Sequence, residues 1–322
     1  MKWAWRHLYM TAPAAWSVVV ALVGINLLWS ANPVMTKFAL EAFSPAEVAW
    51  LRMLSATIAL AVAMFVMRKH NASPMPFMRA RTIALAVLGG AVVFFITPLL
   101  AINGLERSLA IHSAFITGLE PVSTILLACL VLGERMRSAQ WLILGVAVVG
   151  FVLLSGSANE WMGIVAAPRL VGNSLLLLAT VGESIFSVIG GSLVRHARPA
   201  TILLIALGAG ALLLTLYVAP TLSYDRFQNV PFRSWLAILW IGPVVTAFCY
   251  SVWLSALRDV PVSLAAFTLF VQPVVGGFLG HAILRERPSS LEWAGGALIL
   301  LALALHCHSL IRGARRAKQA AA

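Results

Sequence analysis

The sequence predicts an all-α membrane protein with ten transmembrane helices in two inverted five-helix repeats. The mean hydropathy is +0.93, and charged residues make up only 11% of the 322 residues. Charged residues approach ~25% in soluble proteins, so no single water-soluble globule could enclose the apolar surface of this chain. Apolar stretches of about 20 residues, long enough to cross a bilayer as helices, recur along the whole chain. The lipid bilayer is therefore the expected environment.

Apolar runs that end at charged residues, prolines or serines define the predicted spans in chain order. In the first half they are residues 16–38, 46–67, 82–103, 109–131 and 139–156. In the second half they are residues 169–193, 200–219, 234–256, 262–284 and 290–311. The connections are short, and only 68–81 and 220–233 have room for much irregular chain. One compact bundle is expected.

Basic residues predict the orientation. With the N-terminus in the cytoplasm, 15 of the 23 Lys and Arg residues fall on the cytoplasmic side. The other side receives Lys37, Arg52, Arg107, Arg169, Arg226, Arg233, Arg285 and Arg287. The positive-inside rule then places both termini in the cytoplasm of a bacterial inner membrane. Because the basic residues are scattered between apolar segments, no nucleic-acid partner is expected despite the net charge of +12.

Motifs for bound cofactors are missing from the sequence. It has no Walker A loop, no dinucleotide fingerprint and no H-E-x-x-H motif, so we expect no nucleotide-driven pump, no cofactor and no metal site. Its cysteines, Cys129, Cys249 and Cys307, all lie in apolar segments and are odd in number, which argues against disulfides. The chain is not expected to be an enzyme.

A short phrase occurs twice. VLGERMRSAQW at residues 131–141 returns 152 positions later as ILRERPSSLEW at residues 283–293. The same offset pairs Gly90 with Gly242 and Pro121 with Pro273 without a gap, and Ser44-Pro45 lies opposite Arg198-Pro199 at an offset of 154. This pattern indicates an internal duplication.

The duplication defines two units, residues 1–157 and residues 158–322, the second with a basic C-terminal tail. Each unit contains five predicted spans. Since five is odd, the second copy must be inverted in the membrane relative to the first. The two Glu-Arg phrases, at Glu134 and Glu286, are then expected on opposite membrane faces.

Two acidic residues lie near the middle of predicted spans. Glu120 is in the fourth span and Glu183 in the sixth. An ionised carboxylate at this depth costs about 2.5–3.5 kcal/mol, so each is expected to face a partner or a water-filled cavity. Both are candidates for proton coupling or cation binding, and a neutral, hydrogen-bonded structural role is the alternative for Glu183.

Three polar residues precede prolines inside predicted spans, as Asn32-Pro33, Glu120-Pro121 and Gln272-Pro273. A proline removes one backbone donor and frees a carbonyl about one turn earlier, as in the broken helices that transporters use around substrates. Pro33, Pro121 and Pro273 are therefore candidate hinges. Their neighbours either contact substrate or pack inside the bundle.

Aromatic residues recur in the same spans, at Trp29, Phe94, Phe95, Phe115, Phe186, Phe248, Tyr250, Trp253, Phe267 and Phe270. Such side chains suit an amphipathic substrate, although core packing uses them too. The candidate substrate contacts are Asn32, Phe115, Glu120, Glu183, Tyr250, Trp253, Phe267 and Gln272.

The chain resembles the drug/metabolite transporter superfamily, EamA type. The resemblance is carried by the ten predicted spans in two halves, by LLWSANPVMTKFALEAFSPAEVAWLR early in the first half, and by EPVSTILLACLVLGER and QPVVGGFLGHAILRER late in the two halves. It implies a central cavity lined by spans one, three, four, six, eight and nine. It also implies export of amino acids or other small metabolites.

The predicted function is therefore a secondary transporter that exports small amphipathic metabolites, such as amino acids, by alternating access. The driving force is either the substrate gradient or exchange with protons through Glu183 or Glu120. A passive channel and a membrane-embedded enzyme are the alternatives. The expected partners are a small-molecule substrate and the bilayer, and the chain could act as a monomer or a homodimer.

Overall fold

The computed structural model describes residues 12–70, 78–120, 122–123, 127, 138–155, 168–194, 197–222, 227–259, 265 and 268–319. All regular structure within these ranges is helical, which confirms the predicted all-α class. Pro121, Glu134 and Phe267, which the sequence singled out, lie outside the described residues.

The helices of the first half are α1 (Ala12–Ser30), α2 (Asn32–Leu40), α3 (Pro45–His70), α4 (Ala80–Ala91), α5 (Thr97–Glu106), α6 (Ala110–Thr117) and α7 (Ser138–Ser155). Those of the second half are α8 (Pro168–Leu193), α9 (Pro199–Val218), α10 (Phe232–Leu239), α11 (Cys249–Asp259), α12 (Val271–Leu284) and α13 (Ser290–Gln319).

These helices match the predicted spans. Within the described residues, six helical runs are long and apolar enough to cross a membrane: Ser17–Leu40, Pro45–Met67, Ala80–Glu106, Arg169–Leu193, Pro199–Thr221 and Phe232–Arg258. Shorter apolar helices occupy Trp141–Leu154, Val271–Leu284 and Ser290–Leu305. The predicted fourth span is described mainly through α6.

Two spans contain π-helical segments at repeat-related positions. The first π segment, Val92–Ile96, joins α4 to α5, and the second, Trp240–Phe248, joins α10 to α11. A threonine hydroxyl donates to the carbonyl five residues earlier at each place: Thr97, directly after the first segment, to Val92 at 3.0 Å, and Thr246, within the second, to Ile241 at 2.7 Å. π turns of this kind interrupt regular helices and are frequent at functional sites. Hydropathy gave no indication of either segment.

Glycines bring the halves together in a reciprocal way. A Cβ atom on Gly90 in α4 would collide with the carbonyl of Ala206 in α9. Its counterpart Gly242 lies against α3, where a Cβ atom would be 2.9 Å from the carbonyl of Arg52. Gly242 corresponds to Gly90 at an offset of 152 residues, and Ala206 corresponds to Arg52 at an offset of 154. The contact between α4 and α9 therefore recurs as the contact between the second π segment and α3.

Other helix contacts follow the same symmetry. The helix pairs α3 and α9, α6 and α12, and α7 and α13 each bring together helices from spans that correspond in the two repeats. Such self-paired contacts are what a pseudo-two-fold axis between the halves requires. The fold therefore consists of two five-helix repeats in one bundle.

Two buried apolar clusters support the bundle. The larger contains Phe94, Leu203 and Ile241, and the smaller contains Ile111 and Ile299. Large apolar side chains are also exposed on the outside of the helices, among them Val62, Phe65, Leu212, Leu216 and Phe278. Exposure of this kind is expected for helices whose outer faces contact lipid tails.

Candidate functional site: a central cavity between the halves

A cavity of about 140 Å³ lies between the two repeats. Cavities of similar size bind small organic molecules. Its walls come from both halves: α1, α2, α3, the first π segment, α5 and α6 on one side, and α8, α11 and α12 on the other.

Most of the described residues that the sequence proposed for the site line this cavity: Asn32, Pro33, Glu120, Glu183, Tyr250, Trp253 and Gln272. Phe115 does not. It is 4% exposed and packs in the smaller apolar cluster, with its ring centroid 6.0 Å from that of Trp293. Its neighbour Ala114 lines the cavity instead, because consecutive helix residues point about 100° apart.

The candidate hinge Pro273 is buried in the first turn of α12, near Gly118 of the first half. A 3₁₀ turn at Thr268–Phe270 precedes that helix. The ninth predicted span is therefore interrupted just before the Gln272-Pro273 pair. Pro33 takes a similar place at the start of α2, where the helix restarts after Ala31.

Glu183 of α8 accepts a hydrogen bond from the Tyr250 hydroxyl of α11, with 2.7 Å between the two oxygens. Tyr250 is 8% exposed, so this bond is shielded from bulk solvent and is stronger than a surface bond would be. The bond ties the two spans across the cavity.

Glu120 is anchored to α8 by two serines. The Ser187 hydroxyl donates to its carboxylate at 3.2 Å, and the Ser184 hydroxyl donates to its backbone carbonyl at 3.0 Å. Glu120 and Glu183 are close enough to repel each other when both are ionised. The cavity therefore contains two coupled carboxyl groups, each held by a hydroxyl donor.

Gln272, the repeat counterpart of Glu120, makes the reciprocal contact with α1. Its amide nitrogen donates to the Asn26 side-chain oxygen at 2.6 Å, and the Asn26 amide donates to the Thr268 hydroxyl at 2.9 Å. Asn26 is fully buried. Sequence reasoning missed Asn26, although an amide in the middle of an apolar span was a visible signal.

Five aromatic side chains form what we call the aromatic cluster: Trp29, Phe94, Phe186, Tyr250 and Trp253. All of them line the cavity. Tyr250 lies at the centre, with its ring centroid 5.4 Å from those of Trp29 and Phe94 and 5.9 Å from that of Phe186. The rings meet edge to face, which leaves an apolar wall beside the carboxylates.

Arg52 also lines the cavity, and the sequence analysis missed it. It was assigned to the side opposite the cytoplasm, but the structure places it inside α3 with 9% of its surface exposed. Its Nε donates to the Thr246 hydroxyl at 2.8 Å. The sequence did contain a signal for this placement, since Arg52 lies six residues inside the predicted span 46–67.

Polar contacts join the halves at the end of the bundle where α6, α8 and α13 begin. Glu292, 3% exposed, lies 2.8 Å from the Arg169 guanidinium and 3.4 Å from the His112 ring. The other ring nitrogen of His112 lies 3.3 Å from both the Ser108 hydroxyl and the Asn173 amide. His112 and Ser108 belong to the first half and the other three to the second, so this network ties the halves together beyond the cavity.

In the part of the chain that the structure describes, no cluster of His, Cys, Asp or Glu has a geometry suited to a metal ion. The polar groups of the cavity are instead carboxyl, amide, guanidinium and hydroxyl groups beside an aromatic wall. These groups bind organic molecules through hydrogen bonds and charge, with the rest of the molecule against the rings.

Comparison with known proteins agrees with this architecture. The EamA-like transporter family matches residues 16–156 and again residues 170–306. The chain belongs to the EamA-like transporter family. The family identity indicates a membrane transporter.

Relatives cover nearly the full chain at low identity. The inner membrane transporter YedA of Escherichia coli K12 is 23% identical over 88% of this chain and 89% of its own length. An S-adenosylmethionine/S-adenosylhomocysteine transporter of Chlamydia trachomatis serovar L2 is 25% identical over 88% and 87%. The "probable terminal-alkyne amino-acid exporter" of Streptantibioticus cattleyicolor is 24% identical over 88% and 90%.

A solved crystal structure of another protein has the same fold. It superposes with a TM-score of 0.60 at 19% identity and covers 90% of this chain and 95% of the other.

Proposed function

We propose that this EamA-like protein is a secondary transporter that exports small amphipathic metabolites, such as amino acids, across the inner membrane by alternating access. The observation that carries the proposal is the central cavity, which is walled by both repeats and contains the carboxylates of Glu120 and Glu183. In secondary transporters built from inverted repeats, substrate and coupling ion bind at such a repeat interface.

The chemistry of the cavity supports an amphipathic substrate. Carboxyl groups bind an ammonium or a proton, and the aromatic cluster accepts an apolar body. The names of two relatives, an amino-acid exporter and an S-adenosylmethionine/S-adenosylhomocysteine transporter, support small metabolites as the class of substrate.

Proton coupling is proposed through Glu183 and Glu120. Among the described residues, the charged and titratable groups that face Glu183 are Arg52, Tyr250 and Glu120. A substrate ammonium and a proton would compete for the same two carboxylates, which is how exchange of one for the other arises. Rocking of the halves would then expose the site to each side in turn.

A metabolite comparison identifies the substrate. Cells that overproduce the wild-type chain are compared by mass spectrometry of the medium with cells that overproduce Glu183→Ala or the control Glu106→Gln, whose carboxylate is exposed. A compound enriched by the wild type and the control, and not by Glu183→Ala, is the exported substrate. The proposal of export would be overturned if no such compound were found among the amino acids or other small metabolites.

Proteoliposomes then test the mechanism with that compound. Saturable uptake that is accelerated by unlabelled compound on the opposite side is expected for a carrier, and uptake without saturation would indicate a channel. A pH jump across the membrane is expected to drive the wild type and Glu106→Gln. If Glu183→Gln responds to the jump as the wild type does at every pH, the coupling role of Glu183 is wrong.

A further inference from the structure

Two consecutive hydrogen bonds hold the side chain of Arg52 in the cavity. Its Nε donates to the hydroxyl of Thr246, at 2.8 Å, and that hydroxyl donates in turn to the Ile241 carbonyl, at 2.7 Å. The second bond spans five residues within the second π segment. The irregular helix thus fixes Thr246, and Thr246 fixes the plane of the Arg52 guanidinium.

Among the residues that the structure describes, no close partner neutralises the charge of Arg52. Among the described residues, Nε makes its one hydrogen bond and no carboxylate lies within ion-pair distance. The Glu183 carboxylate interacts with Arg52 only at longer range and is bonded to Tyr250 instead. A guanidinium at this depth is costly unless water or an anion meets it.

The repeat shows that the equivalent helix crossing forms without this charge. The position equivalent to Arg52 in the second half is Ala206, as the reciprocal glycine contacts demonstrate. Both residues support the same helix crossing through their backbone carbonyls. At this position the first half carries a guanidinium that the second half lacks. This difference favours a role of Arg52 in binding a ligand.

We infer that Arg52 binds the carboxylate of the transported molecule and thereby makes the cavity selective for zwitterions. The substrate ammonium then lies toward Glu183 and Glu120, and its apolar body lies against the aromatic cluster. The planar guanidinium suits a carboxylate because two parallel N–H groups meet its two oxygens. Phosphate dianions are disfavoured, since they would be repelled by the two glutamates. This inference rests on the proposed transport function.

The test uses three compounds of one shape. L-leucine has both charges, isoamylamine lacks the carboxylate and 4-methylpentanoate lacks the ammonium. Uptake of each is measured in proteoliposomes, and the other amino acids are tested as competitors. Wild-type protein is expected to transport or bind at least one amino acid, and to prefer the zwitterion to the amine and the acid of the same shape.

Arg52→Gln separates the roles of the residue. Loss of a charged hydrogen bond is expected to lower zwitterion uptake by about tenfold or more. Uptake of the matched amine is expected to stay within about threefold, which also shows that the variant is folded. Thr246→Val keeps the charge but releases its orientation, so the KM for the zwitterion is expected to rise more than the KM for the amine.

Several outcomes would overturn the inference. Equal loss of zwitterion and amine uptake in Arg52→Gln would show a structural role. Equal transport of zwitterion and amine by the wild type, or no amino acid transported or bound at all, would show that no carboxylate is selected. Export of another metabolite that still depends on Glu183 would leave the proposed transport function intact, so the two failures are distinguishable.

Discussion

Glu286, in the turn between α12 and α13, accepts hydrogen bonds from the backbone N–H groups of the first turn of α6. The distances are 2.8 Å to Ala110 and 2.9 Å to Ile111. The residue therefore caps a helix of the opposite half, where helix N–H groups lack internal partners and a negative charge is favoured by the helix dipole. This contact gives the glutamate of the second Glu-Arg phrase a structural role.

The cap predicts a stability effect. Glu286→Gln keeps one acceptor oxygen but loses the charge and the second bond, so the free energy of unfolding is expected to fall by about 1–2 kcal/mol. Glu106→Gln removes an exposed carboxylate and serves as the control. The apparent melting temperature in detergent measures both, and equal values would contradict the capping role.

The buried network at the same end of the bundle predicts a second effect. Glu292 accepts hydrogen bonds from the Ser289 backbone N–H, at 2.5 Å, and from Arg169, at 2.8 Å. Arg169→Gln leaves a buried carboxylate without its cation, and a loss of roughly 1–3 kcal/mol in unfolding free energy is expected. Arg107→Gln, in an exposed pair with Glu106 at 3.6 Å, is expected to change little. Equal melting temperatures of the two variants would argue that the network contributes nothing.

Each sequence pattern predicted only the structural feature that it encodes. Hydropathy identifies apolar stretches, so the class and the spans were predictable. Carboxylates are rare in spans because they are costly, so Glu120 and Glu183 stood out and both line the cavity. Neither signal encodes the direction in which a side chain points. Phe115 was proposed because it pairs with Phe267 in the repeat, but it packs away from the cavity.

Features that depend on backbone hydrogen bonding could not be predicted. Nothing in the residue pattern requires the i to i−5 bonds of the two π segments, which pack against α9 and α3. The position of Arg52 depends on Thr246, 194 residues away, and only the folded chain brings the two together. Asn26 and Gln272 are likewise paired over 246 residues.

Labelling tests the inversion of the repeats. In a chain with Cys129, Cys249 and Cys307 replaced by alanine, single cysteines are introduced at Arg135 and at its counterpart Arg287. The predicted topology places residue 287 outside and residue 135 in the cytoplasm, so an impermeant maleimide is expected to label only Arg287→Cys in right-side-out vesicles. Both sites become reactive after permeabilisation. Labelling of both before permeabilisation would refute inverted repeats.

Neighbouring glycines of α4 offer a matched test of the helix crossing. Gly89 and Gly90 are both buried, but a Cβ atom on Gly89 meets nothing within 4 Å, whereas one on Gly90 would collide with the Ala206 carbonyl. Gly89→Ala is expected to be neutral or to stabilise the helix by up to about 1 kcal/mol. Gly90→Ala is expected to cost roughly 1–3 kcal/mol through overpacking, because two backbones must separate.

The repeat extends this comparison to the second half. Gly242→Ala, which would press on the Arg52 carbonyl and the Ser55 hydroxyl, is expected to destabilise the protein as Gly90→Ala does. Gly208 has open space and provides the control. The proposed rocking of the halves would move both crossings, so both destabilising variants are also expected to transport more slowly. Melting temperatures of Gly90→Ala and Gly242→Ala that match those of their controls would show that α9 and α3 do not approach the π-containing spans this closely.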